Sequence, residues 1–194
     1  MVTIDQIKQL RQETGVSVIE CKKALEEVNG DFDLAKEILR KWGKELASKK
    51  SEREAGEGII ESYIHPNKKI GVLIDIRCES DFVAKSEDFK KLAHELCLQI
   101  AASNPLFLKE DDIPEEFLDG ERKIYREQFK DSGKSENIIN QIIEGKLKKY
   151  KEEISLLSQP WIKDQDKKIE DVINEYIAKL GENIVIKRFA KYSI

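Results

Sequence analysis

The stretch Ile70-Gly71-Val72-Leu73-Ile74-Asp75-Ile76-Arg77 decides the fold. Ile70, Val72, Ile74 and Ile76 alternate with Gly71, Leu73, Asp75 and Arg77, a period of two that marks a strand with one face buried. Ile59 to Ile64 precedes it, and His65-Pro66-Asn67-Lys68 between the two supplies turn chemistry, so the pair reads as an antiparallel hairpin. The β-rich run from Asn183 to Ile194 is a candidate third strand. Elsewhere the apolar period is helical. The fold class is therefore α+β: a small antiparallel three-stranded sheet packed with helices, behind a helical N-terminal module.

Upstream of the hairpin, three short helical patterns each carry a start signal. Thr3 and Gln6 make a capping box ahead of Ile4, Ile7 and Leu10. Thr14-Gly15 breaks that helix, and Ser17 with Glu20 repeats the box ahead of Cys21, Ala24, Leu25 and Val28. Asn29-Gly30 ends the second helix, and Asp31 caps a third with Phe32, Ala35, Ile38, Leu39 and Trp42 facing inward. Residues 1–43 are read as a three-helix module, 44–58 as a polar linker helix ending in a hinge at Gly56 and Gly58, and 59–194 as an α+β core domain.

Downstream, Phe89, Leu92, Ala93, Leu96 and Ile100 form a helical stripe that stops at Ser103-Asn104-Pro105. Another helix begins near Pro114. Ser135 caps a longer one carrying Ile139, Ile142, Ile143, Leu147, Tyr150, Ile154 and Leu157, ended by Gln159-Pro160. A last helix holds Ile169, Val172, Ile173, Tyr176, Ile177 and Leu180, closed by Gly181.

Composition narrows the function classes. The 194 residues are 40% hydrophobic, enough for one mid-sized core or two small ones. With 34 basic against 38 acidic side chains the formal charge is -4, so there is no bulk positive field to hold a phosphate backbone, and no direct nucleic-acid partner is expected. Cys21, Cys78 and Cys97 lack the close Cys/His pairing of zinc sites and read as reduced thiols. The opening Met1-Val2-Thr3-Ile4-Asp5 has no basic leader pattern, and no apolar run reaches the ~20 residues that span a bilayer, so a cytoplasmic chain without membrane contact is expected.

Enzyme constellations are sparse. The two histidines, His65 in a turn and His94 within a helix, have no catalytic company. Asp75 and Asp81 with His65 offer the one arrangement for a metal-dependent hydrolase, and no phosphate-binding glycine loop, nucleophile elbow or His-Glu-x-x-His helix is present. The expectation is a binding protein with no cofactor and no resident metal.

The strand runs into Cys78-Glu79-Ser80-Asp81-Phe82-Val83-Ala84-Lys85, where an aromatic stands beside an acid as strand yields to loop. Taken alone, Phe82 and Val83 fit an ordinary core, with Asp81 as a helix-proximal carboxylate. This segment resembles the Thr-Asp-Phe-Val-Ala motif of the elongation factor Ts family, matching at Asp81, Phe82, Val83 and Ala84, with Ser80 keeping the hydroxyl of the threonine. The run Thr14 to Leu25 is similar to the family's N-terminal signature, with Glu20 where aspartate is usual. Gln141 to Lys149 leading to Gln159-Pro160-Trp161, and Gly181 to Phe189, extend the resemblance in the same order over nearly the whole chain.

That resemblance implies a non-enzymatic guanine-nucleotide exchange factor in translation elongation. Its partner would be elongation factor Tu, in the GDP-bound and nucleotide-free states. It implies that Ser80, Asp81, Phe82 and Val83 form a loop that enters beside the partner's magnesium and phosphate site and dislocates the ion. Val16, Val18, Cys21, Lys22 and Lys23 are the docking candidates of the N-terminal module, and Gln99 is an additional contact candidate. The length resembles short-chain members, which implies a homodimer as one way of supplying missing surface. The competing reading is an adaptor, because the three-helix start also resembles ubiquitin-associated modules.

Overall fold

Thr3 opens the first helix as its sequence implies: Gln6 N–H donates to Thr3 Oγ1 at 3.2 Å and Thr3 N–H to Gln6 Oε1 at 2.9 Å. In the computed structural model, which describes residues 2–130 and 133–194, α1 spans Ile4–Thr14, α2 Val18–Glu27 and α3 Phe32–Lys50. Gly15 at φ 70° turns the chain out of α1 in the left-handed region, where a side chain is strained. Ser17 caps α2 by accepting from Glu20 N–H. The Glu20 carboxylate takes the Ser17 hydroxyl at 2.8 Å instead of its backbone N–H, so the second expected box is half made. Asp31 Oδ1 accepts from Asp33 and Leu34 N–H, each at 3.0 Å. The three helices close over Leu10, Val16, Cys21, Ala24, Leu25, Ala35 and Leu39.

The boundary read after residue 43 falls inside α3, which runs unbroken to Lys50. The polar stretch can stay helical because α3 lies along a later helix: Lys44 Nζ is 2.7 Å from Asp171 and Arg40 Nε 3.6 Å from Glu175. Contacts divide the chain into one unit of residues up to Leu98 with Glu170–Ile194, and a second of Gln99–Ile169.

In the first unit, β1 (Glu57–Ile64) and β2 (Ile70–Cys78) form the hairpin, and β5 (Val185–Ser193) pairs antiparallel with β2, giving the order β1-β2-β5. Val72, Ile74, Ile76 and Cys78 are buried, as the alternation requires. On the other face Asp75 is only 6% exposed, held by Arg77, with Arg188 Nε 3.9 Å away. A five-residue helix α4 (Asp81–Lys85) joins β2 to α5 (Glu87–Ser103), and α8 (Ile169–Leu180) precedes β5. Phe89, Leu92, Ala93 and Leu96 of α5 and Val172, Ile173 and Ile177 of α8 are buried, each worth roughly 1.5–3 kcal/mol for the larger side chains. Lys179 Nζ on Asp88 at 2.6 Å ties α8 to α5.

In the second unit, α6 (Glu115–Phe129) and α7 (Glu136–Ile154) lie over Ile113, Leu118 and Ile154, with Phe107 and Tyr150 against them. Pro114 and Ser135 stand at the expected N-caps, though neither side chain makes a cap hydrogen bond. Helix α7 ends at Ile154, earlier than the Gln159-Pro160 stop: Ser155 turns extended at φ -106°, ψ 115°, and Leu157 sits in the 3-10 turn Leu156–Ser158. The carbonyl of Ile154 is taken by Leu106 and Phe107 N–H, which stops the helix before proline is reached. The short ribbon of β3 (Pro160–Trp161) with β4 (Asp164–Lys168) was not anticipated, since Asp164-Gln165-Asp166-Lys167-Lys168 has no apolar alternation.

Candidate partner-binding site

The site grows out of the end of β2. Cys78 is buried and its thiol donates to Ser80 O at 3.2 Å. Burial, and the Glu182 carboxylate nearby, push that thiol up to about 11. Ser80, extended at φ -127°, ψ 156°, caps α4 by accepting from Val83 N–H at 3.4 Å. Ser86 ends the helix: its N–H and hydroxyl both donate to Val83 O, and its hydroxyl accepts from Phe89 N–H to start α5.

Five residues make little more than one turn, so α4 can bury one side. Ala84 takes it at 5% exposed; Phe82, about 200° away round the helix, stands in water at 82% exposed. Val83 is half-buried. Asp81 meets Lys85 Nζ at 2.6 Å, and that hydrogen bond holds its carboxyl below the usual carboxylate range. The core reading of Phe82 is thereby excluded. The outcome is a bare phenyl ring on a turn that also carries the paired Asp81 carboxylate and Lys85 ammonium.

The support of this loop lies at the end of α8. Gly181, at φ 76°, turns the chain so that Glu182 Oε2 accepts from Glu79 and Ser80 N–H at 3.1 and 2.9 Å, and Oε1 from the Ser80 hydroxyl at 2.5 Å. Glu79 answers by accepting from Asn183 N–H at 2.7 Å. Sequence reading passed over Glu182. The antiparallel pairing of β2 with β5, with Arg77 opposite Val185, brings residues just after β2 beside those just before β5, and that register was the signal.

In the helical module the candidates separate. Val18 is 49% exposed, and Lys22 and Lys23 are exposed on α2. Val16, 8% exposed, and Cys21, fully buried, belong to the module's own core and shape that face from within. Ile19, 67% exposed beside Val18, was missed because its neighbours carried the core pattern. Gln99 is corrected outright: at 0% exposed, it accepts from Ile162 N–H at 2.9 Å and donates to Ser103 Oγ and Pro160 O at 2.9 and 3.1 Å. It ties the β3–β4 ribbon to its own unit. An exposed polar position on a helix and a buried, fully bonded one have the same composition signal, hence the error.

The arrangement for a hydrolase is otherwise engaged. Asp75 is held by Arg77, whose hydrogen bond lowers its carboxyl pKa, and His65 Nδ1 pairs with Tyr63 OH at 2.8 Å. Among the described residues no group of three or more His, Cys, Asp or Glu is placed to hold a metal, and no helix is long and apolar enough to cross a membrane.

The family model described as Elongation factor TS matches residues 7–176, a span that includes the α4 loop and the α2 face. The chain belongs to the elongation factor Ts family. It is 51% identical over 194 residues to the elongation factor Ts of Thermosipho melanesiensis, covering 100% of this chain and 99% of that one. The corresponding protein of Herpetosiphon aurantiacus is 47% identical over 193 residues, covering 100% and 98%, and that of Thermotoga petrophila 50% over 193, covering 100% and 96%. These matches run over nearly the whole of each relative, and α4 and α2 are the chain's two candidate contact surfaces.

Proposed function

We propose that the chain is a guanine-nucleotide exchange factor for elongation factor Tu, and that the loop Ser80-Asp81-Phe82-Val83 enters beside the partner's magnesium and phosphate site. The observation that carries this reading is the 82% exposure of Phe82 on a helix whose backbone is fixed. An aromatic ring left in water by a well-ordered protein gains its burial free energy only on a partner. Asp81 supplies a negative charge at the point where a cation-held phosphate would be disturbed.

An exchange factor stabilises the nucleotide-free GTPase over the GDP-bound one, because a ligand shifts an equilibrium only by its differential affinity. A thousandfold faster release needs about 4 kcal/mol. Burying one phenylalanine contributes roughly 1.5–3 kcal/mol, so the ring needs a second contact. Val18, Lys22 and Lys23 are assigned that docking role, with Val16 and Cys21 supporting the face from within. The chain breaks and makes no covalent bond in this scheme, and it acts in the cytoplasm without nucleic acid or membrane.

A pair of copies is part of the reading. The outer face of the sheet carries Ile60, Ile64, Leu73 and Tyr192, all exposed, with Ile64 and Tyr192 on either side of Gly71 and Leu73 two residues on, and a second such face would cover them. Sedimentation equilibrium at micromolar concentration tests this, and a monomer throughout rejects it.

The deciding experiment mixes the protein with elongation factor Tu loaded with fluorescent GDP and follows release. Acceleration that is lost in Phe82→Ala, with helical content intact, supports exchange. An adaptor predicts no acceleration by the parent protein, and that result would remove the proposal.

A further inference from the structure

We propose that Glu182 is a positioning residue for exchange: its carboxylate locks the backbone entering α4 so that Phe82 is presented in one orientation. This rests on the exchange reading of the loop.

The geometry is that of a clamp. One carboxylate accepts three hydrogen bonds from two consecutive residues, Glu79 N–H, Ser80 N–H and Ser80 Oγ–H. Charge-assisted bonds of this kind are about twice as strong as neutral ones. They act where packing is thin: α4 is one turn long and buries only Ala84, and the Cys78 thiol on Ser80 O is a weak donor beside them. Without the clamp, Ser80 would be free to leave its extended conformation, and the cap on Val83 N–H would go with it. The phenyl ring would then sample many directions, and ordering it would be charged against the step that displaces the nucleotide, after docking through α2.

Glu182 is itself fixed. The Gly181 carbonyl before it accepts from the buried Lys50 ammonium at the end of α3. Asn183 after it donates its N–H to Glu79 Oε1 and its side-chain amide to Arg53 O at 2.9 Å. Arg53 in turn lies 3.5 Å from Glu79 Oε2. The carboxylate therefore has a rigid seat supplied by the segment that leads out of α3. The ring's presentation is set by a residue about a hundred positions away in sequence that bonds to Glu79 and Ser80 and makes no hydrogen bond to Phe82 itself.

The test compares Glu182→Ala, Glu182→Gln, Phe82→Ala and the double variant Glu182→Ala/Phe82→Ala in full chains, measuring fluorescent-GDP release from elongation factor Tu against factor concentration. Glu182→Ala should lower the maximal rate about tenfold and leave the half-saturating concentration within about twofold, because docking through α2 is untouched. Added to Phe82→Ala it should change nothing further, as expected of two residues acting through one ring. Glu182→Gln, which keeps the length and one acceptor oxygen, should recover part of the loss. Amide hydrogen exchange of Glu79 and Ser80 should quicken in the alanine variant while that of β2 holds.

A Glu182→Ala protein with the parental maximal rate, beside a defective Phe82→Ala, overturns the clamp alone. So does a double variant whose losses multiply. A Phe82→Ala protein that exchanges at the parental rate overturns the loop reading, and the clamp's role in exchange falls with it. If the alanine variant does not fold, the glutamine variant decides by the same two readouts.

Discussion

The two candidate contact surfaces, α4 and α2, put apolar side chains into water on opposite supports. At α4 the ring of Phe82 stands on a backbone fixed by N–H groups that donate to the Glu182 carboxylate and the Ser80 hydroxyl, with Ala84 alone buried beneath it. At α2, Val18 and Ile19 lie over a packed interior of Val16, Cys21 and Leu25. A surface held by directional polar contacts can be re-aimed without unfolding anything. One held by packing is lost only with its core, so the same assay should report the two surfaces through different quantities.

The largest effect should come from the packed side. Leu25 is fully buried, and Leu25→Ala should destabilise the helical module by about 2–5 kcal/mol, read by urea denaturation. Exchange would fail through loss of docking, seen as a rise in half-saturating concentration. A variant that unfolds less than this, or that lowers only the maximal rate, breaks the division. Phe82→Ala should do the reverse. With the ring already in water, stability should stay within about 0.5 kcal/mol, as for surface substitutions generally. The maximal exchange rate should fall about 10- to 150-fold, the kinetic equivalent of losing 1.5–3 kcal/mol of burial on the partner.

The contrast also explains what the sequence could and could not tell. Packing leaves a periodic trace: Val72, Ile74 and Ile76 announced β2, and Leu10, Cys21, Leu25 and Ala35 announced the head, because burial repeats with the geometry of the element. Local caps such as Thr3 and Asp31 were equally legible, since donor and acceptor lie within three residues. Polar contacts across the chain leave no such trace. Glu182 meets Ser80 only because β5 pairs with β2, and Gln99 is buried only because Ile162 and Pro160 return to it. The role of Glu182 and the burial of Gln99 are hidden in the sequence for the same reason. The position of Phe82 in water was not readable from the residue at all, since phenylalanine on a short helix is compatible with either side.

Gln99 provides the third and smaller test. It is as thoroughly bonded as Glu182 but lies in the second unit, and the exposed residues it holds, Pro160 and Ile162, are outside the two candidate contact surfaces. Gln99→Ala strands the Ile162 N–H and should lower stability by about 1–3 kcal/mol, measured by thermal or urea unfolding. The exchange rate per folded molecule should not change. A fall in that rate would mean that polar knots matter wherever they occur, and the special standing of the α4 support would be lost.

Asp75 sharpens the point by pH. The Arg77 hydrogen bond and the Arg77, Arg188 and Lys187 charges hold its folded carboxyl below the usual value, against the opposing pull of burial. A depressed folded value means the stabilisation is fully present above the ordinary unfolded carboxylate value, about 3.9, and is lost as pH falls through the lower folded one. Melting temperature recorded from pH 6 to pH 2 should therefore drop below about pH 4, and Asp75→Asn should flatten that drop. Asp81 is depressed by Lys85 on an exposed helix, so Asp81→Asn should leave the acid profile closer to the parent.

The smallest effect is expected at Lys22. Its ammonium lies 3.7 Å from Glu26 one turn on, with both side chains more than half exposed, so the pair adds at most a few tenths of a kcal/mol to α2. Its use is to attract a partner, and exposed charges act on encounter more than on the bound geometry. Lys22→Ala should raise the half-saturating concentration up to about fivefold at low salt, an effect worth no more than about 1 kcal/mol. The difference should shrink as ionic strength rises through the physiological range, where the screening length is about 8 Å. The maximal rate should not move, because the ring and its polar support are elsewhere. If Lys22→Ala instead lowers the maximal rate and salt has no influence, α2 takes part in displacing the nucleotide. The two surfaces would then have to be treated as one.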